Sequence, residues 1–236
     1  MLEINRLYLG DCLEVMKDID DKSIDAIICD LPYGTTACKW DVIIPLEKLW
    51  QSYKRIIKNN GAIVLFGSQP FTSALVMSNV KMFKYEWIWI KNNATGHLNA
   101  KRKPMSIFED IIVFFRGTPI YNPQGLVPFN KKVRRGHNGN NYGVSGKENF
   151  QEFTNYPLDI LCFDYDSNRV HPTQKPVALL EYLIRTYTNE DDIVLDNCIG
   201  SGTAAIAAIN TGRNWIGIEK EQKYYDIAKK RIEDML

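Results

Sequence analysis

The sequence predicts one doubly wound α/β domain, and three segments carry this prediction. Residues 24–29 form an apolar run of the length expected for a buried strand. A second candidate strand, 191–196, runs through a glycine-containing turn into a helix of small residues at 204–208. A third strand, 214–218, follows that helix and ends in Glu219. Strand, glycine turn, helix and strand in this order are typical of nucleotide-binding α/β folds.

The remaining elements follow from apolar periodicity and from residues that begin helices. Pro176 suits the start of a helix, because its missing N–H needs no partner there. Segments 83–91 and 107–116 predict two strands, a long antiparallel pair joined by a basic loop. The other predicted elements are a strand ending at Asp11, a helix at 13–17, a helix at 46–57, a buried strand at 62–66, a helix at 71–77 and a helix at 177–186.

Composition limits the class of protein without selecting a function. The chain has 236 residues, of which 45% are hydrophobic, enough for one sizeable core. It shows neither a signal peptide nor an apolar run long enough to cross a membrane, so we expect a cytoplasmic protein with no membrane partner. The five cysteines lack paired close spacing, so neither a metal site nor a disulfide framework is expected. They are Cys12, Cys29, Cys38, Cys162 and Cys198.

The segment Asp30-Leu31-Pro32-Tyr33 directly follows the first predicted strand and has the groups of a pocket for a planar amine. The exocyclic amine of adenine or cytosine is a poor nucleophile until acceptors pull its protons out of the ring plane. Asp30 and a backbone carbonyl beside Pro32 can be these acceptors. Tyr33 offers a stacking face for a base swung out of a duplex, a contact worth roughly 1–3 kcal/mol. The alternative is an ordinary strand followed by a proline turn.

A second candidate site lies at the turn 197–203. Gly200 and Gly202 let the backbone approach a ligand closely, and Glu219 stands where nucleotide folds hold ribose hydroxyls. Segment 200–205 also matches the loose dinucleotide-binding pattern, which leaves a nicotinamide or flavin enzyme as an alternative. Against that alternative, nothing in the chain resembles a hydride-transfer site, and the Asp30 segment has no obvious use in such an enzyme.

With both sites in view, nearly the whole chain closely resembles the β class of amino-methylating DNA methyltransferases, which use S-adenosylmethionine to modify adenine N6 or cytosine N4. Segment 30–33 is similar to the catalytic Asp-Pro-Pro-Tyr motif of that class, with Leu31 replacing the first proline. The hexapeptide His171-Pro172-Thr173-Gln174-Lys175-Pro176 resembles the segment that contacts the methionine end of the cofactor, where a helix start suits a carboxylate.

The resemblance assigns roles to individual residues. It implies catalytic roles for Asp30, Pro32 and Tyr33. It implies cofactor contacts for Asp11, Cys12, Asp30, His171, Thr173, Lys175, Pro176, Asp196, Gly200, Gly202, Thr203 and Glu219. For Asp11 the alternative is a plain helix N-cap.

The resemblance also implies the details of fold and reaction. The expected fold is a Rossmann-like methyltransferase domain over residues 1–236, with a mainly parallel seven-stranded sheet, one antiparallel strand, and the catalytic half before the cofactor half. The target amine is expected to attack the sulfonium methyl directly and in line, so no cysteine acts as a nucleophile. Asp30 at the first motif position favours adenine over cytosine, with cytosine N4 as the alternative.

Two segments rich in basic and polar residues are predicted to contact DNA, although the net charge is only +1. One is the loop between the antiparallel strands, and the other lies in an inserted target-recognition region at 117–166. The candidate nucleic-acid contacts are Tyr33, Trp40, Lys91, Lys101, Arg102, Lys131, Lys132, Arg134 and Arg135. Solvated loops without a function are the alternative. The aromatic residues Trp87, Trp89, Phe114 and Phe115 are expected in the core.

Double-stranded DNA is the expected partner. Dimers are common in the resembled class, so a homodimer is a candidate assembly, and a cognate restriction endonuclease is a candidate partner. The alternatives are an RNA or protein-amide methyltransferase with the same kind of pocket and a non-catalytic cofactor-binding regulator. Retention of Asp30, Pro32 and Tyr33 argues against the regulator.

Overall fold

The computed structural model describes residues 2–36, 38, 41–134, 148–167 and 174–235. The chain forms two compact units, one comprising Met1–Asn122 with Asp159–Leu236 and the other Pro123–Leu158. The larger unit contains an eight-stranded sheet with helices, and the smaller unit contains a two-stranded sheet.

The elements are numbered along the chain. The strands are β1 (Arg6–Leu9), β2 (Ile24–Cys29), β3 (Ile57–Gly67), β4 (Phe83–Thr95), β5 (Ser106–Phe114), β6 (Val127–Arg134), β7 (Glu148–Thr154), β8 (Ile160–Cys162), β9 (Ile193–Asp196) and β10 (Asn214–Glu219). The helices are α1 (Cys12–Val15), α2 (Leu46–Ile56), α3 (Phe71–Ser78), α4 (Val177–Tyr187), α5 (Thr203–Asn210) and α6 (Gln222–Glu233), with 3-10 turns at Met16–Asp18 and His97–Asn99.

The large sheet has the strand order β1-β10-β9-β2-β3-β5-β4-β8. Within the described part of the chain, β5 is antiparallel to β3 and β4, and every other neighbouring pair of this sheet is parallel. The predicted doubly wound fold is therefore confirmed, including the antiparallel pair in which Trp87 lies opposite Ile111. The sheet has eight strands rather than the expected seven, because β8 pairs with β4 and extends the edge.

Two hydrophobic cores lie on opposite faces of the sheet, and strand β2 contributes to both. Ala26 and Ile28 belong to the core that includes α4 and α5, whereas Ile27 and Cys29 belong to the core that includes α2 and α3. All six residues of β2 are buried, which explains why apolar residues occupy both of its faces rather than alternating with polar ones. The exception is Asp25, whose carboxylate pairs with Lys58 Nζ at 2.6 Å.

The four aromatic residues predicted for the core lie in these cores or pack against them. Trp87 and Trp89 are 3% and 0% exposed, and Phe114 is fully buried. Phe115, just after β5, is partly buried against the same core as Trp87.

The carboxyl ends of the parallel strands meet at one edge of the sheet, where ligands bind in open α/β folds. β2 ends directly before Asp30, β9 ends at Asp196, and β10 ends at Glu219. The antiparallel strand β5 begins at this same edge. Glu109, near the start of β5, lies opposite Trp89 of β4. The fold thus gathers four acidic side chains from distant parts of the sequence.

The smaller unit is an antiparallel hairpin of β6 and β7 with Lys131 opposite Gln151. The side-chain amide of Asn155 donates a hydrogen bond to the carbonyl of Gly125 at 2.7 Å and ties the two ends of the hairpin together. The unit lies inside the region 117–166, whose role in target recognition stays a prediction.

Across the ranges that the structure describes, no helix combines the length and the apolar character needed to span a bilayer. The cytoplasmic location stays a prediction.

Candidate active site

A cavity of about 480 Å³ opens where β2, β9 and β10 end. It brings together both motifs that the sequence singled out. The predicted residues that line it are Asp11, Cys12, Asp30, Pro32, Tyr33, Lys91, Lys175, Asp196, Gly200, Thr203 and Glu219. Two further predicted residues, Pro176 and Gly202, are the N-caps of α4 and α5.

Asp30 is held by two side chains in this cavity. The hydroxyl of Tyr33 donates a hydrogen bond to Oδ1 at 2.7 Å, and Lys175 Nζ donates to Oδ2 at 2.6 Å. Burial raises the pKa of Asp30 above its usual value, although the ammonium of Lys175 opposes this shift. An ionised carboxylate has about four acceptor positions, so positions remain for a further donor such as an amine.

The ring of Tyr33 is fixed by the core beneath it. It stacks on Phe71 of α3 with the ring centroids 5.1 Å apart and the planes inclined by 24°. Burial, together with the negative charge of Asp30, raises the pKa of the Tyr33 hydroxyl well above its usual value, so the hydroxyl stays protonated as a donor.

Lys175 has contacts that the sequence did not suggest. Its Nζ lies between two carboxylates, 2.6 Å from Asp30 Oδ2 and 3.1 Å from Glu109 Oε2. Glu109 in turn pairs with Lys91, whose Nζ is 3.3 Å from Oε1. The four side chains therefore form a row of alternating charges along the cavity.

Charges in this row decide the ionisation of its members. Burial alone would lower the pKa of Lys175, but the carboxylates of Asp30 and Glu109 outweigh burial and raise it. Burial alone would raise the pKa of Glu109, but Lys175 and Lys91 outweigh it and lower that pKa. Lys175 and Glu109 are therefore charged at neutral pH.

Sequence reasoning did not select Glu109. The available signal was an acidic residue within the mostly apolar segment 107–116. That signal is ambiguous, because the next residue, Asp110, is also acidic but faces elsewhere and accepts a hydrogen bond from Thr72 at 2.6 Å.

The glycine turn after β9 is held by Glu219. Its Oε2 accepts a hydrogen bond from the Gly200 N–H at 2.9 Å, and its Oε1 accepts one from the Glu221 N–H at 2.8 Å. Gly202 has φ of +83°, and an added Cβ would lie 3.2 Å from Ala228 of α6. The turn needs glycine there because both the backbone angle and the close approach disfavour a side chain.

Asp196, at the end of β9, is a buried carboxylate with a strongly raised pKa. It is 7% exposed, and its Oδ1 accepts a hydrogen bond from the Cys198 N–H at 3.0 Å. Burial raises its pKa to about 7, although that hydrogen bond opposes the shift. Burial also raises the pKa of the neighbouring Cys29 thiol to about 12, which disfavours a thiolate.

Asp11 has the capping role that the sequence left as an alternative, and it also lines the cavity. Its Oδ1 accepts a hydrogen bond from the Leu13 N–H at 2.9 Å, and Oδ2 is 3.5 Å from Lys220 Nζ. The N-cap hydrogen bond therefore uses Oδ1 and leaves Oδ2 beside Lys220.

Asp41 was also missed. Its carboxylate accepts hydrogen bonds from three consecutive backbone N–H groups, those of Gly34, Thr35 and Thr36, at 2.8, 2.9 and 2.7 Å. Burial would raise its pKa, but these donors outweigh burial and lower it. Asp41 thus holds the segment that follows Tyr33.

The predicted nucleic-acid contacts that the structure describes belong to both compact units. Lys91 differs from the prediction, because it is 5% exposed and ion-paired inside the cavity rather than free to follow phosphates. Lys101 and Arg102 are exposed beyond the end of β4. Lys131 and Lys132 are exposed on β6 of the smaller unit. Trp40, Arg135, His171, Thr173 and the side chain of Arg134 lie outside the described residues.

Comparison with known proteins identifies the family. The model of the N6/N4 DNA methylase family matches residues 24–230. The chain belongs to this family. Its relatives among DNA methylases include the Type II methyltransferase M.HinfI of Haemophilus influenzae, 29% identical over 265 aligned positions that cover 98% of this chain and 69% of the relative.

Two further proteins are similar to this chain over most of their own length. The DNA adenine methyltransferase YhdJ of Escherichia coli (strain K12) is 27% identical over 98% of this chain and 83% of its own. The crystal structure of the M1.HpyAVI-SAM complex has a TM-score of 0.67 and 28% identity, covering 96% of this chain and 98% of that one.

S-adenosylmethionine is the cofactor of this DNA methylase family, and the residues present fit it. The cavity has the volume of a small-molecule site, for which about 300–1,000 Å³ is typical. The close turn at Gly200, the carboxylates of Asp11, Asp196 and Glu219, and the Asp30 motif all line this cavity.

Proposed function

We propose that this protein transfers the methyl group of S-adenosylmethionine to the exocyclic N6 amine of adenine in duplex DNA, acting on a flipped base. The observation that carries the proposal is the Asp30 carboxylate, which lies in the same cavity as the glycine turn. Asp30 has free acceptor positions, and Tyr33 provides a fixed ring beside it.

The chain contributes positioning and electrostatics to the reaction. Asp30 and the backbone carbonyl beside Pro32 accept hydrogen bonds from the target amine and increase the electron density on its nitrogen. Tyr33 stacks on the flipped base, a contact worth roughly 1–3 kcal/mol. Asp11, Lys175, Asp196, the glycine turn and Glu219 are proposed to hold the cofactor, which supplies a methyl group on a sulfonium. Direct transfer needs no enzyme nucleophile, in keeping with the raised pKa of the Cys29 thiol.

Two arguments support adenine as the target base. The motif begins with Asp30, and the relative YhdJ is a DNA adenine methyltransferase. The family model covers both N6 and N4 amines, so cytosine N4 is the second candidate function. Both amines require the same acceptor geometry, and the product decides between them.

Product analysis tests the proposal. The purified protein is incubated with unmethylated genomic DNA and S-adenosylmethionine, and the digested nucleosides are analysed by mass spectrometry. We expect N6-methyladenine from the wild type and none from Asp30→Ala that still binds cofactor and DNA. N4-methylcytosine would overturn the base assignment alone, and absence of both products would overturn the proposed function.

We also propose that exposed basic residues of the loop after β4 bind DNA phosphates. Lys101, Arg102 and Lys103 are consecutive, exposed and without an ion pair to any residue within the described ranges. Replacing Lys101 and Arg102 by Gln is expected to weaken DNA binding and to make log Kd depend less steeply on log salt, with the slope smaller by about one for each phosphate that is no longer bound. An unchanged salt slope would exclude this loop.

We also propose that the protein forms a homodimer and that a cognate restriction endonuclease is its partner. The names of relatives such as M.HinfI as Type II methyltransferases support an endonuclease partner. Analytical ultracentrifugation with and without a DNA duplex tests the dimer. Protection of methylated DNA from a panel of restriction enzymes identifies the matching cleavage specificity.

A further inference from the structure

Glu109 is charged, largely buried and outside every motif that the sequence presents. It contacts two lysines, with Oε2 at 3.1 Å from Lys175 Nζ and Oε1 at 3.3 Å from Lys91 Nζ. Its side chain is 15% exposed and those of Lys175 and Lys91 are 7% and 4% exposed, so water screens these charges poorly. A charged row of this kind in a cavity wall requires a physical reason.

The reason follows from the fate of the amine proton. When the target nitrogen forms its bond to the methyl carbon, the carbon–sulfur bond breaks, and the sulfur keeps that electron pair. The nitrogen is then left with one proton too many. Asp30 is the carboxylate proposed to accept hydrogen bonds from this amine, so the proton passes to Asp30 and neutralises it.

Neutralising Asp30 changes the balance around Lys175. Lys175 Nζ is 2.6 Å from Asp30 Oδ2, and a buried ammonium that loses its only carboxylate is strongly disfavoured. Glu109 supplies a second carboxylate on the same ammonium. Lys175 therefore stays paired in both protonation states of Asp30.

We propose that Glu109 is a positioning residue that acts through Lys175, keeping this lysine neutralised so that Asp30 can accept the proton released by the methylated amine. The inference rests on the proposed methyl transfer and deepens it. Glu109 touches neither the base nor the cofactor in this role.

The charges around Asp30 determine the direction in which each substitution should shift the pKa of this carboxyl. Lys175 lowers the pKa of Asp30, whereas burial and the negative charge of Glu109 raise it. The groups outside the row that face it are the Tyr33 hydroxyl, Asp196 and the Cys29 thiol. Asp110, next to Glu109, hydrogen-bonds to Thr72 instead.

Opposite substitutions should therefore move the pH dependence in opposite directions. Glu109→Gln removes a negative charge, lowers the pKa of Asp30 and moves the acid limb of the rate profile to lower pH. Lys91→Met leaves Glu109 less neutralised, raises the pKa of Asp30 and moves the acid limb to higher pH. A purely structural role of the row would give both variants the same kind of defect without opposite shifts.

The test uses single-turnover methylation of genomic DNA at saturating S-adenosylmethionine between pH 5 and pH 9, on the full-length protein. We expect Glu109→Gln to lower the plateau rate about tenfold or more, with a small change in the Kd for cofactor and DNA. Glu109→Asp should recover part of the rate. Glu86→Gln is the matched control, because Glu86 is exposed on β4 of the same strand pair, and it should behave as wild type.

The possible outcomes separate the proposed methyl transfer from the proposed role of Glu109. An inactive wild type overturns the proposed function itself. If the wild type is active and Glu109→Gln changes neither the acid limb nor the plateau of the pH–rate profile, the proposed role of Glu109 is wrong. If Glu109→Gln does not fold, Lys91→Met is used as the test. An acid limb of Lys91→Met that stays in place or moves to lower pH would contradict the proposed role of Glu109.

Discussion

Lys175 Nζ lies 2.6 Å from Asp30 Oδ2, so the residue just before the N-cap of α4 forms a direct ion pair with the residue just after β2. The pair joins the segment resembling a cofactor-binding segment to the segment resembling the catalytic motif. Because α4 packs in the same core as β2, the two segments are held at a fixed separation. The proposed catalytic acceptor, Asp30, is thus positioned by a part of the chain far from it in sequence.

Lys175→Met is expected to impair catalysis in a pH-dependent way. Lys175 lowers the pKa of Asp30, so its removal leaves Asp30 and Glu109 close together and raises that pKa. More of the enzyme then has a protonated Asp30 near pH 7, and the single-turnover rate should fall about tenfold or more and recover partly as the pH rises towards 9. The exposed Lys81→Met is the control. A rate defect that is the same at every pH contradicts the assignment.

The hydroxyl and the ring of Tyr33 should make separate contributions to the rate of methyl transfer. Tyr33→Phe removes the hydrogen bond to Asp30 Oδ1 but keeps the stack on Phe71. We expect a loss of roughly threefold to tenfold in rate for Phe, and a further loss of about 1–3 kcal/mol in transition-state binding for Ala. Values of kcat/KM for DNA measure both steps. Equal defects in the two variants would assign the whole effect to the hydroxyl.

Asp41→Ala is expected to disorder the segment that follows Tyr33. Three backbone N–H groups, at Gly34, Thr35 and Thr36, lose their shared acceptor. Hydrogen exchange of these amides should become faster, and the single-turnover rate should fall, with a local stability loss of about 1–3 kcal/mol. Asp41→Asn keeps one acceptor oxygen and should be intermediate. Unchanged amide exchange in Asp41→Ala would show that solvent or other groups replace the carboxylate.

The fold of the larger unit could be predicted largely from local patterns, because most of its strands and helices show a recognisable apolar pattern. The apolar run at 24–29, the antiparallel pair and the small-residue helix are all present in the structure. Strand β8 could not be predicted in this way. It has three residues, of which Ile160 and Cys162 are exposed and Leu161 is buried, and it exists through its pairing with β4.

Residues that line the cavity could be predicted where the end of a strand marks them, and they were missed where distant segments meet. Asp30, Tyr33, Asp196 and Glu219 each follow or end a strand, so strand ends located them. Glu109 and Asp41 acquire their roles only from partners that the fold brings to them. Lys91 was predicted to bind a DNA phosphate because it borders a basic loop. In the fold it is buried and forms an ion pair with Glu109 instead.

Asp196 should make the folded protein less stable as the pH rises through the range from about 4 to about 7. Burial raises its pKa in the folded state to about 7, from an ordinary value of 3.8. Between these values the folded state keeps a proton that the unfolded state has lost, so raising the pH favours unfolding. Above pH 7 both states are ionised, and the full penalty of the buried carboxylate remains.

Asp196→Asn isolates this contribution, because Asn is similar in size and does not titrate. Glu109 and Asp41, whose lowered pKa values act in the opposite direction, are present in both proteins and cancel in the comparison. Urea unfolding of the cofactor-free proteins at pH 4.5 and pH 8 is the measurement. The stability of the wild type relative to Asp196→Asn should fall by about 2–4 kcal/mol over this range. A difference that stays constant or grows with pH would show that Asp196 is ionised in the folded protein throughout.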